Sequence, residues 1–190
     1  MHDAEDHLLA RCKAGDLDAF GIVYERYRIL LHRHAYHVLG NQDDASDVLQ
    51  ETFLKAYDGL VSFRGDAHLK TWLLTICTNL CRTRLRQRER RREKELGASW
   101  ADALEPIREP GPFETMERSA RAQAVRRALQ GLPVASRELI LLRDIQSLSY
   151  DEIATVLRCS RSSVSVRLYR ARRMLRARLE SLLDEEDKSC

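Results

Sequence analysis

Seven arginines and no acidic residue lie between Arg161 and Arg178, at positions 161, 167, 170, 172, 173, 176 and 178. In the same stretch Val164, Leu168, Ala171 and Leu175 recur at helical spacing, so one side of a helix can be buried while guanidinium groups line the rest. Arginine presents a planar, permanently charged fork that fits phosphate oxygens, and a helix of this kind can enter a major groove by its N-terminal end. A merely solvated helix mixes both signs to form i,i+4 pairs, and this one does not. Before it, Tyr150, Ile153, Ala154 and Leu157 mark a shorter helix. Asp151 and Glu152 sit in its first turn, where the helix dipole favours them. Arg158-Cys159-Ser160 is a short turn between the two. The pattern is a helix-turn-helix.

Other charges are segregated too. Net charge is only +3, yet residues 82–94 hold eight basic and two acidic side chains, and residues 41–58 hold five acidic and one basic. The run Asp184–Asp187 is wholly acidic. Such asymmetry suits a protein that meets nucleic acid with some faces and a basic protein with others. Cys12, Cys77, Cys81, Cys159 and Cys190 are odd in number and scattered, which is no disulfide framework. Cys77 and Cys81, or His32, His34 and His37, offer partial metal ligands without the spacing that completes a four-ligand site. They are expected to be buried thiols and ordinary helix histidines, with no metal and no cofactor.

The elements that must position these residues are helical throughout. Phe20, Val23, Tyr24, Tyr27, Leu30, Leu31 and Val38 predict an amphipathic helix that stops at Gly40-Asn41. Asp43-Asp44 opens another, with Val48, Leu49, Phe53 and Ala56 inward. Residues 64–69 form a polar loop around Gly65. Residues 71–87 are helical, apolar first and basic later. Residues 97–112 gather Pro106, Pro110, Gly97 and Gly111, the composition of a linker. A helix resumes over 114–131, and the segment from Pro133 to Ser136 caps the next. No alternating run is long enough for a strand. The expected fold is all-α: two small helical domains on a flexible linker, with boundaries at 1–95, 96–113 and 114–183 and an acidic tail at 184–190. No run approaches the roughly eighteen apolar residues of a membrane span, and residues 1–10 do not read as a signal peptide. A cytoplasmic protein without direct membrane insertion is expected.

Two sets of residues resemble a known family. The run from Asp47 to Phe53 (DVLQETF), then Phe63-Arg64-Gly65-Asp66, then Thr71-Trp72-Leu73 and Asn79, is similar to region two of bacterial RNA polymerase sigma factors. Leu132-Pro133, the run from Leu148 to Ala154 (LSYDEIA), and Val164, Arg167, Leu168, Arg170, Ala171 and Arg172 resemble region four. A short linker in place of an intervening domain is typical of the extracytoplasmic-function group. The resemblance implies a helical protein that catalyses nothing, binds core RNA polymerase, recognises −35 and −10 promoter elements and starts transcription of a stress-type regulon. It also implies control by an anti-sigma factor. The implied polymerase contacts are the clamp helices of the largest subunit and the flap of the second-largest.

Roles follow residue by residue. Asp47, Gln50 and Glu51 fall at i, i+3 and i+4, so they share one helix face, which by resemblance meets the clamp helices. The −10 element would be met by Phe63, Arg64, Lys70, Asn79, Arg82 and Arg84. Phe63 is the expected aromatic wall and Asn79 the base reader. The arginines at every second position from 82 grip phosphate rather than read sequence. Trp72 is expected in the core. The −35 element would be met by Arg161, Ser162, Ser165, Arg167, Arg170 and Arg173. Here the chain departs from the family, which commonly has Gly-Thr-Val followed by a basic residue. Ser162 replaces the glycine and Ser165 the basic residue, so a guanine contact from position 165 is lost and Arg161 becomes the expected guanine donor.

Two other classes of protein share parts of this pattern. A response-regulator output domain would need an N-terminal receiver of alternating strands and helices, and residues 1–92 show no strands. A metal-sensing or RNA-binding regulator would need ligands grouped at metal spacing. Co-purification with core polymerase separates both from the sigma reading.

Overall fold

The computed structural model describes residues 2–65, 67–96 and 120–187, and every regular element among them is helical. The α-helices are α1 (His2–Lys13), α2 (Leu17–Leu39), α3 (Gln42–Gly59), α4 (Leu69–Leu96), α5 (Ala120–Gln130), α6 (Val134–Ile140), α7 (Tyr150–Leu157) and α8 (Arg161–Asp187). A 3-10 turn follows α3 at Leu60–Ser62, and α6 runs on into a turn of π-helix at Leu141–Ile145. The predicted linker lies outside the described residues except for Leu96, as do Asp66 and the start of the helix expected at 114–131.

Local chemistry accounts for where the helices begin and end. Asp16 opens α2 by accepting a hydrogen bond from the backbone N–H of Ala19 at 3.0 Å, and Asn41 opens α3 through Asp44 N–H at 2.9 Å. Each satisfies one of the amides that a helix start leaves without a partner. Gly40 ends α2 with φ +73, the left-handed conformation that glycine adopts without a Cβ penalty. Ser149 and Glu152 form a reciprocal capping box at α7. Arg158 ends α7 at φ 53, and Ser160 Oγ accepts from Ser163 N–H at 3.2 Å to open α8. The cap expected between Pro133 and Ser136 differs: Pro133 precedes α6 with no side-chain capping bond, and its carbonyl accepts from Ser136 N–H. The acidic residues Asp184–Asp187, read as a separate tail, are the last turn of α8.

Apolar stripes set the packing. Val23, Leu31, Ala35 and Val38 on α2 meet Val48 and Ala56 on α3 and Leu73, Leu74 and Cys77 on α4, all essentially inaccessible to solvent. In the second half, α5, α6 and α7 pack on α8 around Leu139, Leu142, Ile153 and Leu168. Each valine, leucine or isoleucine among them contributes about 1.5–3 kcal/mol by leaving water. The histidines and thiols considered as ligands belong to the first core. His34 Nε2 pairs with Thr78 Oγ1 at 3.0 Å, His32 Nε2 with Ser46 Oγ at 3.3 Å, and the Cys77 thiol points at the Leu31 carbonyl. Among the described residues no three potential ligands are grouped at metal distance.

The two halves do not stand apart. α4 packs along α7, and α2 packs against α5 and α6. The two helical domains expected from the sequence are both present, and they are docked on one another. Their docking depends on side chains far apart in the chain, which periodicity does not register.

Candidate DNA and polymerase surfaces

The helix-turn-helix is α7, the Arg158–Ser160 turn and α8. Val164, Leu168 and Ala171 are buried against α6 and α7, which fixes the rotation of α8. Arg161, Ser162, Ser165, Arg170 and Arg173 consequently face solvent, and Arg167 lies half-buried at the edge of the same surface. Arg161 has only a loose ion pair with Asp151, 3.7 Å apart with both side chains mostly exposed. Arg172 is held by Asp144, its Nε donating at 3.1 Å. Val166 and Tyr169 are also exposed. Tyr169 lies beneath the Arg173 guanidinium, 6.0 Å from ring centroid to charge. The first two turns of α8 therefore present a guanidinium, hydroxyls and an apolar side chain on one open face, the mixture that base edges and thymine methyls accept.

The second basic surface is differently arranged. α4 is apolar up to Cys81 because that half is buried, and basic beyond it because the helix then projects from the bundle. Three of its arginines, Arg82, Arg84 and Arg88, meet acids of the same chain. Arg82 forms a two-pronged pair with Glu138 of α6, Nε to Oε1 at 2.9 Å and Nη2 to Oε2 at 2.6 Å. Glu138 is 1% exposed, and its hydrogen bonds raise the Arg82 pKa beyond its usual value. Arg84 reaches Asp47 at 3.4 Å and Asp44 at 3.9 Å, and Arg88 pairs with Asp44. Lys70 donates to the Gln146 carbonyl at 2.6 Å, and Thr71 Oγ1 donates to Glu152 at 2.7 Å. Burial pushes the Glu152 carboxyl up, but the hydrogen bonds from Thr71 and Ser149 outweigh it and hold the pKa below the usual value.

The other residues expected at the −10 element are dispersed. Arg64 is exposed beside Gly65, which turns the loop at φ +82, and Asn79 is half-buried on α4. Phe63, expected as an open aromatic wall, is 7% exposed and packs on Trp72 with ring centroids 4.8 Å apart. Its ring is worth more in that contact than in water. Trp72 is packed against the core as expected.

On α3, Asp47 and Gln50 are exposed and Glu51 is half-buried with Lys55 at 3.5 Å, so the three share one outward face. Sequence reasoning missed what lies beside it. Leu54 is 67% exposed and Val61 77%, with Tyr57 and Tyr24 also open. Phe20 stacks edge-on against Tyr57 at 5.1 Å. An apolar patch rimmed by acids is the form of a protein-binding surface. The signal was present: Leu54 and Tyr57 fall off the stripe of Val48, Phe53 and Ala56. The pair Arg137 and Glu138 was missed as well. Both are charged residues inside an otherwise apolar run, where burial demands a partner.

Comparison with known proteins agrees on both halves. Residues 23–91 match the model of sigma-70 region 2, and residues 122–175 match that of sigma-70 region 4. The RNA polymerase sigma-H factor of Pseudomonas aeruginosa is 33% identical over 190 aligned positions, covering 96% of this chain and 97% of that protein. The ECF RNA polymerase sigma-E factor of Escherichia coli K12 is 34% identical over 183, covering 93% and 94%. Among solved structures, the sigma factor RpoE in complex with the anti-sigma factor NepR from Bartonella quintana superposes with a TM-score of 0.70 at 27% identity, covering 85% of this chain and 96% of that one. CnrH in complex with the cytosolic domain of CnrY gives 0.64 at 30% identity, covering 94% and 96%.

Proposed function

The chain belongs to the extracytoplasmic-function group of RNA polymerase sigma factors, and from that premise we propose the division of labour among its surfaces. It is an alternative sigma factor that binds core polymerase, recognises promoter DNA at two elements and is controlled by an anti-sigma factor. It acts by binding and not by chemistry of its own, and it works in the cytoplasm. Region two is assigned to residues 1–95, the linker to 96–113 and region four to 114–183.

The open face of α8 is assigned to the −35 element, with Arg161 donating to a base and Ser162, Ser165, Arg167, Arg170 and Arg173 in the groove or on phosphate. Asp47, Gln50 and Glu51 are assigned to the clamp helices, with Leu54, Tyr57 and Val61 adding the apolar contact that acids alone would not supply. Region four is the part assigned to the polymerase flap. Arg64, Lys70, Asn79, Arg82 and Arg84 are assigned to the −10 strand. Phe63 supports that loop from within.

The observation that carries this reading is that one chain presents both an acid-rimmed apolar face on α3 and an unobstructed arginine face on α8. The test is to mix the purified chain with core polymerase and promoter-bearing genomic DNA and to sequence the transcripts. A discrete set of new start sites sharing two spaced elements is expected. Transcripts indistinguishable from those of core enzyme alone would end the reading.

A further inference from the structure

We infer that α1 is a strut for the loop that meets the −10 element: Lys13, its last residue, fixes the loop backbone at Phe63 and so sets where Arg64 stands. This deepens the sigma-factor reading and rests on its assignment of that loop. The match to region 2 begins at residue 23, and α1 precedes it. None of the residues given to promoter or polymerase lies on this helix. The loop is held at both ends and open between. At its far end Leu69 is buried, and the His68 carbonyl accepts from Trp72 N–H at 3.0 Å. At its near end the Phe63 ring lies on Trp72. A seated ring still leaves ψ of Phe63 free to turn, and that turn would swing the carbonyl together with the N–H of Arg64, which shares its peptide plane. Lys13 Nζ donates to this carbonyl at 2.6 Å, from 50 residues away. The same ammonium stands 5.9 Å from the Phe63 ring centroid, so one cation holds ring and carbonyl together. Arg64, Gly65 and His68 lie exposed between the two anchors.

A lysine is long and flexible, so it positions a loop only if its own base is fixed. Leu8 and Cys12, one turn apart, are buried against α2 and set the rotation of α1. Gly15 turns the corner after Lys13 at φ +85. Asp16 closes that corner from both sides: it caps α2 through Ala19 N–H and accepts from Arg11 Nε at 2.8 Å. α1 also packs on the 3-10 turn that leads into Phe63. The loop therefore keeps one backbone course while Lys13 holds, and a surface that reads bases needs its frame fixed to within about half an ångström. Lys13 is a positioning residue. It acts through the Phe63 carbonyl and touches no base.

The test compares the full chain with Lys13→Met, which keeps the stem and removes the donor, and with Lys13→Arg, which keeps a cationic donor. Hydrogen exchange of the free chain, read by mass spectrometry, reports the amides of residues 60–69. Exchange there should quicken about tenfold in Lys13→Met, the scale of one lost hydrogen bond to a charged group, and stay near wild type in Lys13→Arg. Each protein is then joined to core polymerase on a promoter taken from the sequenced start sites. Permanganate reactivity of the −10 thymines should fall about tenfold in Lys13→Met and base preference at −10 should flatten, while −35 preference and salt dependence stay as they were. Lys13→Arg should restore both. Unchanged exchange would overturn the strut, and so would faster exchange with unchanged melting. Equal losses at −10 and −35 would mean general loosening, and a salt slope lower by about 1 would mean that Lys13 itself grips phosphate; either result ends the proposal. If Lys13→Met loses helical signal in circular dichroism, Lys13→Gln carries the test with the same readouts. If wild type starts no transcripts with core polymerase, the sigma reading fails, and the exchange data still decide whether Lys13 holds the loop.

Discussion

Two arginine-rich helices in this molecule use the same side chain in opposite ways. α8 shows most of its guanidinium groups to solvent: Arg161 makes a loose pair with Asp151, and Arg172 is held by Asp144. α4 engages Arg82, Arg84 and Arg88 with acids of the same chain. The difference lies in what surrounds each helix. α8 is packed along one stripe by apolar neighbours, whereas α4 runs beside Asp44 and Asp47 on α3 and Glu138 on α6. Composition alone therefore does not identify a DNA surface. The neighbouring acids decide whether a basic helix is available.

The strongest way to break this contrast is to disturb the arginine that is committed most deeply. Arg137 donates to the carbonyls of Leu129, Gln130, Leu132 and Val38. Arg137→Met keeps the bulk and orphans those acceptors, so urea unfolding should show a loss of about 3–5 kcal/mol. An unchanged midpoint would mean that the arginine is held without contributing.

Acid should weaken the core of region two next, through His34. Burial, and then the charge of His37, lower the His34 pKa to about 4, against an ordinary 6.5. Between those values the unfolded chain binds a proton that the folded chain refuses. Stability is therefore full above pH 6.5 and falls as the pH drops toward 4, by about 3 kcal/mol. Comparing urea midpoints of wild type and His34→Gln across that window isolates this contribution. Parallel curves would remove His34 as its source.

On the exposed helix the effects should be smaller and should split by role. Arg161→Ala should relax preference at one base pair of a selected −35 site, at about 1–3 kcal/mol. Arg173→Ala should weaken binding to all sequences alike and reduce the salt slope by about 1. Selection from a randomised duplex pool at two salt concentrations checks both. Exchanged phenotypes would rotate the proposed register of α8.

The smallest change sharpens the comparison from the other side. Asp44→Asn withdraws one acid from both Arg84 and Arg88, making α4 more like α8. Stability should move by less than about 1 kcal/mol, as for other surface pairs. Non-specific DNA binding by the free chain, measured by fluorescence anisotropy, should rise.

Much of this was legible in the sequence because it is local. Helix ends at Gly40-Asn41, at Ser149 with Glu152 and at Arg158–Ser160 follow from capping chemistry within a few residues. The buried stripe of α8 follows from spacing alone, and with it the outward direction of Arg161, Ser165 and Arg170. The α4 surface was not legible. Arg82 meets Glu138 across 56 positions of chain, and no periodicity records that meeting. Phe63 misled for a related reason: its ring turns inward onto Trp72, a choice made by packing.

Gly40 serves two functions with one missing side chain. Its positive φ ends α2, and a Cβ there would stand 2.9 Å from Gln130 Oε1. Gln130 is flexible and could swing aside, but it would leave the His37 carbonyl and Arg137 as it went. An alanine at 40 would therefore register twice: as backbone strain in a melting curve of region two, and as a looser association of halves that the chain separates by 90 residues. The end of one helix and the join between two domains are thus set by a single codon, and neither can drift without the other.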